Sequence, residues 1–218
     1  MKLPKRGLYA ITQTSNKTEQ HIIAEVAAAV KGGSVLVQYR DKQQLAASRQ
    51  QQLANALIAL CHPQNIPLII NDNIDLALKT AAAGVHLGQH DANIAEARRR
   101  LGDNAIIGAS CYNNLELAKI AEAEGADYVA FGRFFPSNSK PLATPADLGT
   151  LALAKSALSI PIVAIGGILP TNGAALLAAG ADILAVIGGI FDYPAEPAAR
   201  AFLPLFESEH ECKPPGIY

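Results

Sequence analysis

Short runs rich in β-branched and aliphatic residues alternate along this chain with longer stretches in which apolar residues return every three or four positions. The short runs cover 7–12, 35–40, 67–72, 84–88, 105–110, 128–132, 161–167 and 183–190. Several are almost unbroken, such as Val35-Leu36-Val37 and Ile162-Val163-Ala164-Ile165. A strand buried on both faces reads this way, and burial on both faces is the condition of a parallel sheet covered by helices. The longer stretches are Glu19–Lys31, 45–60, Ile94–Leu101, 115–124, 145–158 and 171–179. In the first, Ile22, Ile23, Val26, Ala27 and Val30 fall on one helical face.

A recurring phrase marks the joints from helix to strand: Gly32-Gly33, Ala83-Gly84, Gly125-Ala126-Asp127 and Gly180-Ala181-Asp182. Glycine there suits a left-handed helix end before a tight turn. Eight strand–helix units with such short joints predict one α/β domain, a single (β/α)8 TIM barrel. An open flavodoxin-like sheet needs only about five strands and would leave several runs unused. The barrel is expected over residues 1–206, followed by a polar, Pro-containing tail over 207–218.

Composition narrows the picture. Half of the 218 residues are hydrophobic, enough for a substantial core, and the net charge of -1 gives no general attraction to nucleic acid or to an anionic membrane. Cys61, Cys111 and Cys212 are too widely spaced for a disulfide framework or a metal knuckle, so a reducing, cytoplasmic setting is expected. No signal peptide is read at the N-terminus, and no apolar run reaches the ~20 residues that a membrane span needs. Homo-oligomeric assembly is left open.

In a (β/α)8 barrel the chemistry collects where the strands end. Gln38, Arg40 and Lys42 are spaced by two, so along an extended strand they face one way. Two cations and an amide aimed at one spot suit a diphosphate; solvated charges at a strand end are the plainer alternative. Asp72 and Asp91 end neighbouring strands, where paired carboxylates would suit Mg2+, although either could instead cap the helix that follows. Gly166-Gly167 and Gly188-Gly189 end the last two strands, the usual place for a backbone phosphate site in such barrels, with simple turn chemistry as the alternative.

Taken in order, these segments resemble the thiamine-phosphate synthase family along nearly the whole chain. The matching pieces include Val37-Gln38-Tyr39-Arg40-Asp41-Lys42, Ile69-Ile70-Asn71-Asp72, His86-Leu87-Gly88-Gln89-His90-Asp91, Ile107-Gly108-Ala109-Ser110 and Ser137-Asn138-Ser139-Lys140. The resemblance implies a transferase of thiamine biosynthesis that joins hydroxymethylpyrimidine diphosphate to thiazole phosphate with Mg2+. It assigns Gln38, Arg40, Lys42 and Asn71 to the pyrimidine diphosphate, and Ser110 and Lys140 to the same substrate. Asp72 and Asp91 become metal ligands. Ser137, Ser139, Gly167 and the backbone at Ile187-Gly188 go to the thiazole phosphate. The implied reaction is dissociative, and Arg40, Lys42, Ser110 and Lys140 are its candidate catalytic residues.

The chain departs from the family pattern in places. Serines stand at 137 and 139 where threonine is frequent, Cys111-Tyr112 replaces Thr-His, and Gly188-Gly189 replaces Ser-Ala, which removes a hydroxyl from the phosphate site. Elsewhere the plain readings hold. His86 is expected to be a satisfied interior histidine, His90 a loop residue, Cys111 no nucleophile, and Arg98-Arg99-Arg100 a solvated helix face. Two rival functions share the barrel: a thiazole tautomerase, whose acid–base histidine after the sixth strand is replaced here by Gly132-Arg133, and a non-catalytic sensor of phosphate ligands.

Overall fold

The computed structural model describes residues 1–41, 43, 45–89, 93–136 and 145–207. Eight parallel strands close into a barrel in sequence order. They are β1 (Gly7–Ile11), β2 (Ser34–Tyr39), β3 (Leu68–Asn71), β4 (Gly84–Leu87), β5 (Ile106–Tyr112), β6 (Tyr128–Phe131), β7 (Ile162–Ile165) and β8 (Ile183–Val186). The helices are α1 (Glu19–Lys31), α2 (Ala47–Cys61), α3 (Ile74–Thr80), α4 (Ile94–Leu101), α5 (Leu115–Ala123), α6 (Leu148–Ala157) and α7 (Gly173–Ala178). Three short ones follow β8: α8 (Gly188–Phe191), α9 (Ala195–Arg200) and α10 (Pro204–Glu207). The expected barrel is therefore the observed one.

Strand alternation splits the apolar residues into two cores. Leu8, Ala10, Val37, Ile70, Val85, Ile107, Val129 and Leu184 face outward and pack on helix residues such as Ile22, Val26, Leu53 and Leu57. Tyr9, Ile11, Leu36, Ile69, Ile106, Tyr128, Val163, Ile183 and Ala185 face inward and fill the barrel. Local chemistry starts the helices: Thr18, Asn73, Asn93, Asn114 and Asp147 each accept a backbone N–H of the first turn.

The structure corrects several expectations. The last apolar run does not stay extended to 190. β8 stops at Val186, and Gly188–Phe191 is a buried helical turn, because a short apolar run has no period by which strand and helix differ. The seventh run likewise ends at Ile165, where Gly166 and Gly167 adopt φ of +104° and +65°. The seven-residue α3 and the three helices after β8 are absent from the helical stretches read from periodicity; they are short, and α9 and α10 are built around prolines. At the Ala83-Gly84 joint the left-handed residue is Ala81, not the glycine. Gly84 serves close approach instead, since a Cβ there would stand 1.7 Å from the Ile106 carbonyl oxygen.

Arg98 is not a solvated charge. Its guanidinium donates to the carbonyls of Gly102, Ala105 and Gly125 and pairs with Asp127 at 2.6 Å. Arg99 and Arg100 pair with Glu96 and Asp75. The aspartate of the repeated Gly-Ala-Asp phrase has its own work below the barrel. Asp127, ahead of β6, accepts the Ile107 N–H of β5 at 2.7 Å; Asp182, ahead of β8, accepts the Ile162 N–H of β7 at 2.9 Å.

Candidate active site

A cavity of about 850 Å³ opens at the C-terminal ends of the strands. Continuing the inward alternation up each strand gives its lining. Leu36 leads to Gln38 and Arg40, Ile69 to Asn71, Gly84 to His86, Ile106 to Ser110, and Ile183 to Ile187. The interior changes from apolar to polar within two residues along β2 and β3, and that change forms the floor of the site.

The floor is a connected chain of hydrogen bonds. Gln38 Nε2 donates to Tyr9 Oη at 2.7 Å, and Tyr9 Oη lies 3.0 Å from Tyr128 Oη. His86 Nδ1 is 3.0 Å from Tyr128 Oη, and His86 Nε2 is 2.9 Å from Ser110 Oγ. The His86 and Tyr128 rings stack, 5.6 Å between centroids, and the two tyrosine rings meet edge to face. Gly108 makes room for this arrangement: a Cβ there would lie 2.0 Å from the Tyr128 ring. Burial pushes both phenols above their usual range, so both remain protonated. His86 is thus the satisfied histidine that the sequence suggests, and it also lines the cavity.

Arg40 enters from the end of β2. The Thr12 hydroxyl accepts its backbone N–H at 2.9 Å and donates to its carbonyl at 3.2 Å, which fixes the backbone that carries the guanidinium. Burial lowers the Arg40 pKa, and the nearby Asp72 carboxylate opposes that shift. Asp41, next in sequence, accepts the backbone N–H groups of Gln43 and Leu45 and so closes the loop toward α2. At the end of β3, Asn71 donates through its amide to Asp72 Oδ2. Asp72 has a φ of +62°, which turns it off the strand to the exposed rim. The cap of α3 is Asn73 and that of α4 is Asn93, so the capping alternative does not describe Asp72.

Across the cavity, Gly166 and Gly167 pack on the segment that leaves β6. A Cβ at Gly166 would lie 2.3 Å from Arg133 Cβ, and one at Gly167 would lie 2.3 Å from the Pro136 carbonyl oxygen. The glycine pair is therefore required by backbone shape, and it lines the cavity as well. Ile187 and Gly188 line the same wall at the start of α8, and the space a side chain at Gly188 would enter is taken by the Asp192 carboxylate.

One cavity thus gathers Gln38, Arg40, Asn71, Ser110, Gly167, Ile187 and Gly188, with Asp72 at its rim. Lys42, Asp91, Ser137, Ser139 and Lys140 lie outside the described residues. Sequence reading gave no site role to Tyr9, Thr12 and Arg133, which line the cavity, or to Tyr128, which bonds to Tyr9 and His86. Strand alternation could have found the two tyrosines, since each sits on the inward face of its strand. Cys111, beside Ser110, is buried with its thiol pushed up to about 12 by that burial, which agrees with its having no nucleophilic role.

Comparison with known proteins identifies the family. The sequence profile of a family described as thiamine monophosphate synthase matches residues 8–190. A thiamine-phosphate synthase of Thiobacillus denitrificans is 50% identical over 206 residues, which are 94% of this chain and 97% of that one. A thiamine-phosphate synthase of Nitrosococcus oceani is 49% identical over 210 residues, 96% of each chain. Among solved structures, the thiamine phosphate pyrophosphorylase of Pyrococcus furiosus superposes with a TM-score of 0.82 at 34% identity, over 93% of this chain and 96% of that one. With the profile spanning the barrel from its first strand to α8, and relatives near half-identical along almost their whole length, the chain belongs to the thiamine monophosphate synthase family and is a transferase that makes thiamine phosphate.

Proposed function

We propose that the enzyme joins hydroxymethylpyrimidine diphosphate to thiazole phosphate by a dissociative route, with Gln38, Arg40, Asn71 and Ser110 holding the pyrimidine substrate. The observation that carries this reading is the convergence of those four side chains on one cavity in a chain of this family. The bond between the pyrimidine methylene carbon and the diphosphate oxygen breaks, and its electron pair leaves with the diphosphate. The thiazole nitrogen lone pair then forms the new carbon–nitrogen bond. No protein nucleophile is needed. Arg40, joined by Lys42 and Lys140, neutralises the departing diphosphate as a preorganised cation. Gly167 and the Ile187-Gly188 backbone receive the thiazole phosphate with Ser137 and Ser139, which holds its nitrogen in line.

Asp72 and Asp91 are the residues that would hold Mg2+. Asp72 fits a hard oxygen-seeking cation: it is a carboxylate at the rim, oriented through one oxygen by Asn71, and α3 is capped by its neighbour. A bound Mg2+ would supply positive charge beside the diphosphate. Purified protein mixed with both substrates and Mg2+ is expected to form thiamine phosphate, and EDTA is expected to abolish it. No product from folded protein overturns the reading, and turnover undiminished by EDTA removes the metal from it.

A further inference from the structure

The chain of bonds under the site has a direction. Gln38 Nε2 can only donate, so Tyr9 Oη accepts from it at 2.7 Å. Tyr9 keeps its single proton and turns it to Tyr128 Oη at 3.0 Å. Tyr128 in turn donates its O–H to His86 Nδ1, also at 3.0 Å. A neutral imidazole whose Nδ1 accepts must carry its hydrogen on Nε2, which faces Ser110 Oγ at 2.9 Å. The two ends of the relay are then set: Ser110 receives a bond from His86 and has its hydroxyl proton to give, while Gln38 has its amide oxygen to accept. Both residues line the cavity.

We infer that Tyr9, Tyr128 and His86 are positioning residues that couple Gln38 to Ser110, so that the cavity presents one acceptor and one donor to an aminopyrimidine ring. This rests on the substrate reading above. An exocyclic amino group beside a ring nitrogen offers the complementary pair. The coupling follows from the connectivity: turning the Gln38 amide over would reverse every bond in the chain, giving a donor at Gln38 and an acceptor at Ser110. Two donors or two acceptors together would leave a buried bond unmade. A 4-oxo pyrimidine, which presents a carbonyl beside a ring N–H, matches only the reversed chain.

The direction is readable without substrate, from the 15N shifts of the His86 ring in labelled protein at mildly alkaline pH, with His86→Gln supplying the assignment. The expected form is the Nε2–H tautomer, and in Tyr9→Phe the population moves toward Nδ1–H. The opposite tautomer in the parent protein, or an unchanged one in Tyr9→Phe, overturns the inference. In turnover, Tyr128→Phe is expected to raise KM for the aminopyrimidine diphosphate about 10-fold and to lower its preference over the 4-oxo analogue by a similar factor, with kcat changed less than about 3-fold. A Tyr128→Phe enzyme of normal melting temperature that keeps full preference for the amino ring also overturns it. A parent protein that shows the Nε2–H tautomer and makes no thiamine phosphate would instead sink the substrate reading and leave the relay standing.

Discussion

Arg40 shows how much of the role proposed for it depends on what surrounds the side chain. Its guanidinium is drawn into the cavity, where burial lowers its pKa and Asp72 restores part of the loss, and its backbone is held on both sides by the Thr12 hydroxyl. A fixed cation in a partly dehydrated site stabilises a leaving diphosphate without reorganising at the moment of reaction. Arg40→Ala should therefore reduce kcat by about 10²-fold while leaving KM for thiazole phosphate near its parent value. Steady-state rates with each substrate varied in turn would show this, and a kcat within a factor of a few of the parent would take Arg40 out of the leaving-group site. Arg40 was legible in the sequence because a charged residue in the Gln-x-Arg-x-Lys run stands out against an apolar strand. Tyr9 and Tyr128 were not, because a tyrosine inside an apolar run reads as core, and only the closed barrel brings their hydroxyls 3.0 Å apart from positions 119 residues apart in the chain.

At the scale of elements, the upper and lower rims of the barrel divide the work. Above, Gln38, Arg40, Asn71 and Ser110 line the cavity, with Asp72 at its rim. Below, the two Gly-Ala-Asp joints tie β6 to β5 through Asp127 and Ile107, and β8 to β7 through Asp182 and Ile162. The glycine of the phrase was legible as a turn. The aspartate was not, since its partner lies on a neighbouring strand 20 residues earlier. Asp182→Ala deprives the first N–H of β7 of its acceptor and Lys155 of its ion pair. The expected cost is about 1.5–3 kcal/mol for one charged hydrogen bond, seen as a melting temperature lower by roughly 3–12 °C. Because the change lies at the face away from the cavity, kcat/KM should stay within about 2-fold of the parent. A large loss of activity at unchanged stability would show that this joint communicates with the site.

For the whole molecule, the decisive event is closure of β1 on β8, which brings the two ends of the chain's long sequence of units together. The eight-unit alternation made a closed barrel the economical reading of the sequence. What the alternation did not contain was the fastening of the seam. After β8 the chain runs through α8, α9 and α10, too short for periodicity to mark, and lays α9 against α1. Ala195, Ala199 and Phe202 are buried there, Ala199 packs where only glycine fits at position 32, and Glu196 pairs with Lys31. Lys17, ahead of α1, donates to the Phe191 carbonyl and pairs with Glu25. Stability of the barrel should thus depend on α9 and α10, neither of which lines the cavity. Phe202 is fully buried, and Phe202→Ala is expected to cost about 3–5 kcal/mol, lowering the melting temperature by roughly 6–20 °C while activity measured well below the transition is retained. Thermal melting followed by far-UV circular dichroism checks the first half, and a coupled assay at low temperature the second. A variant that melts with the parent would mean that the seam is held by strand pairing between β1 and β8 alone. A stable variant without activity would mean that the terminal helices act on the cavity wall at Ile187-Gly188, which leads directly into them.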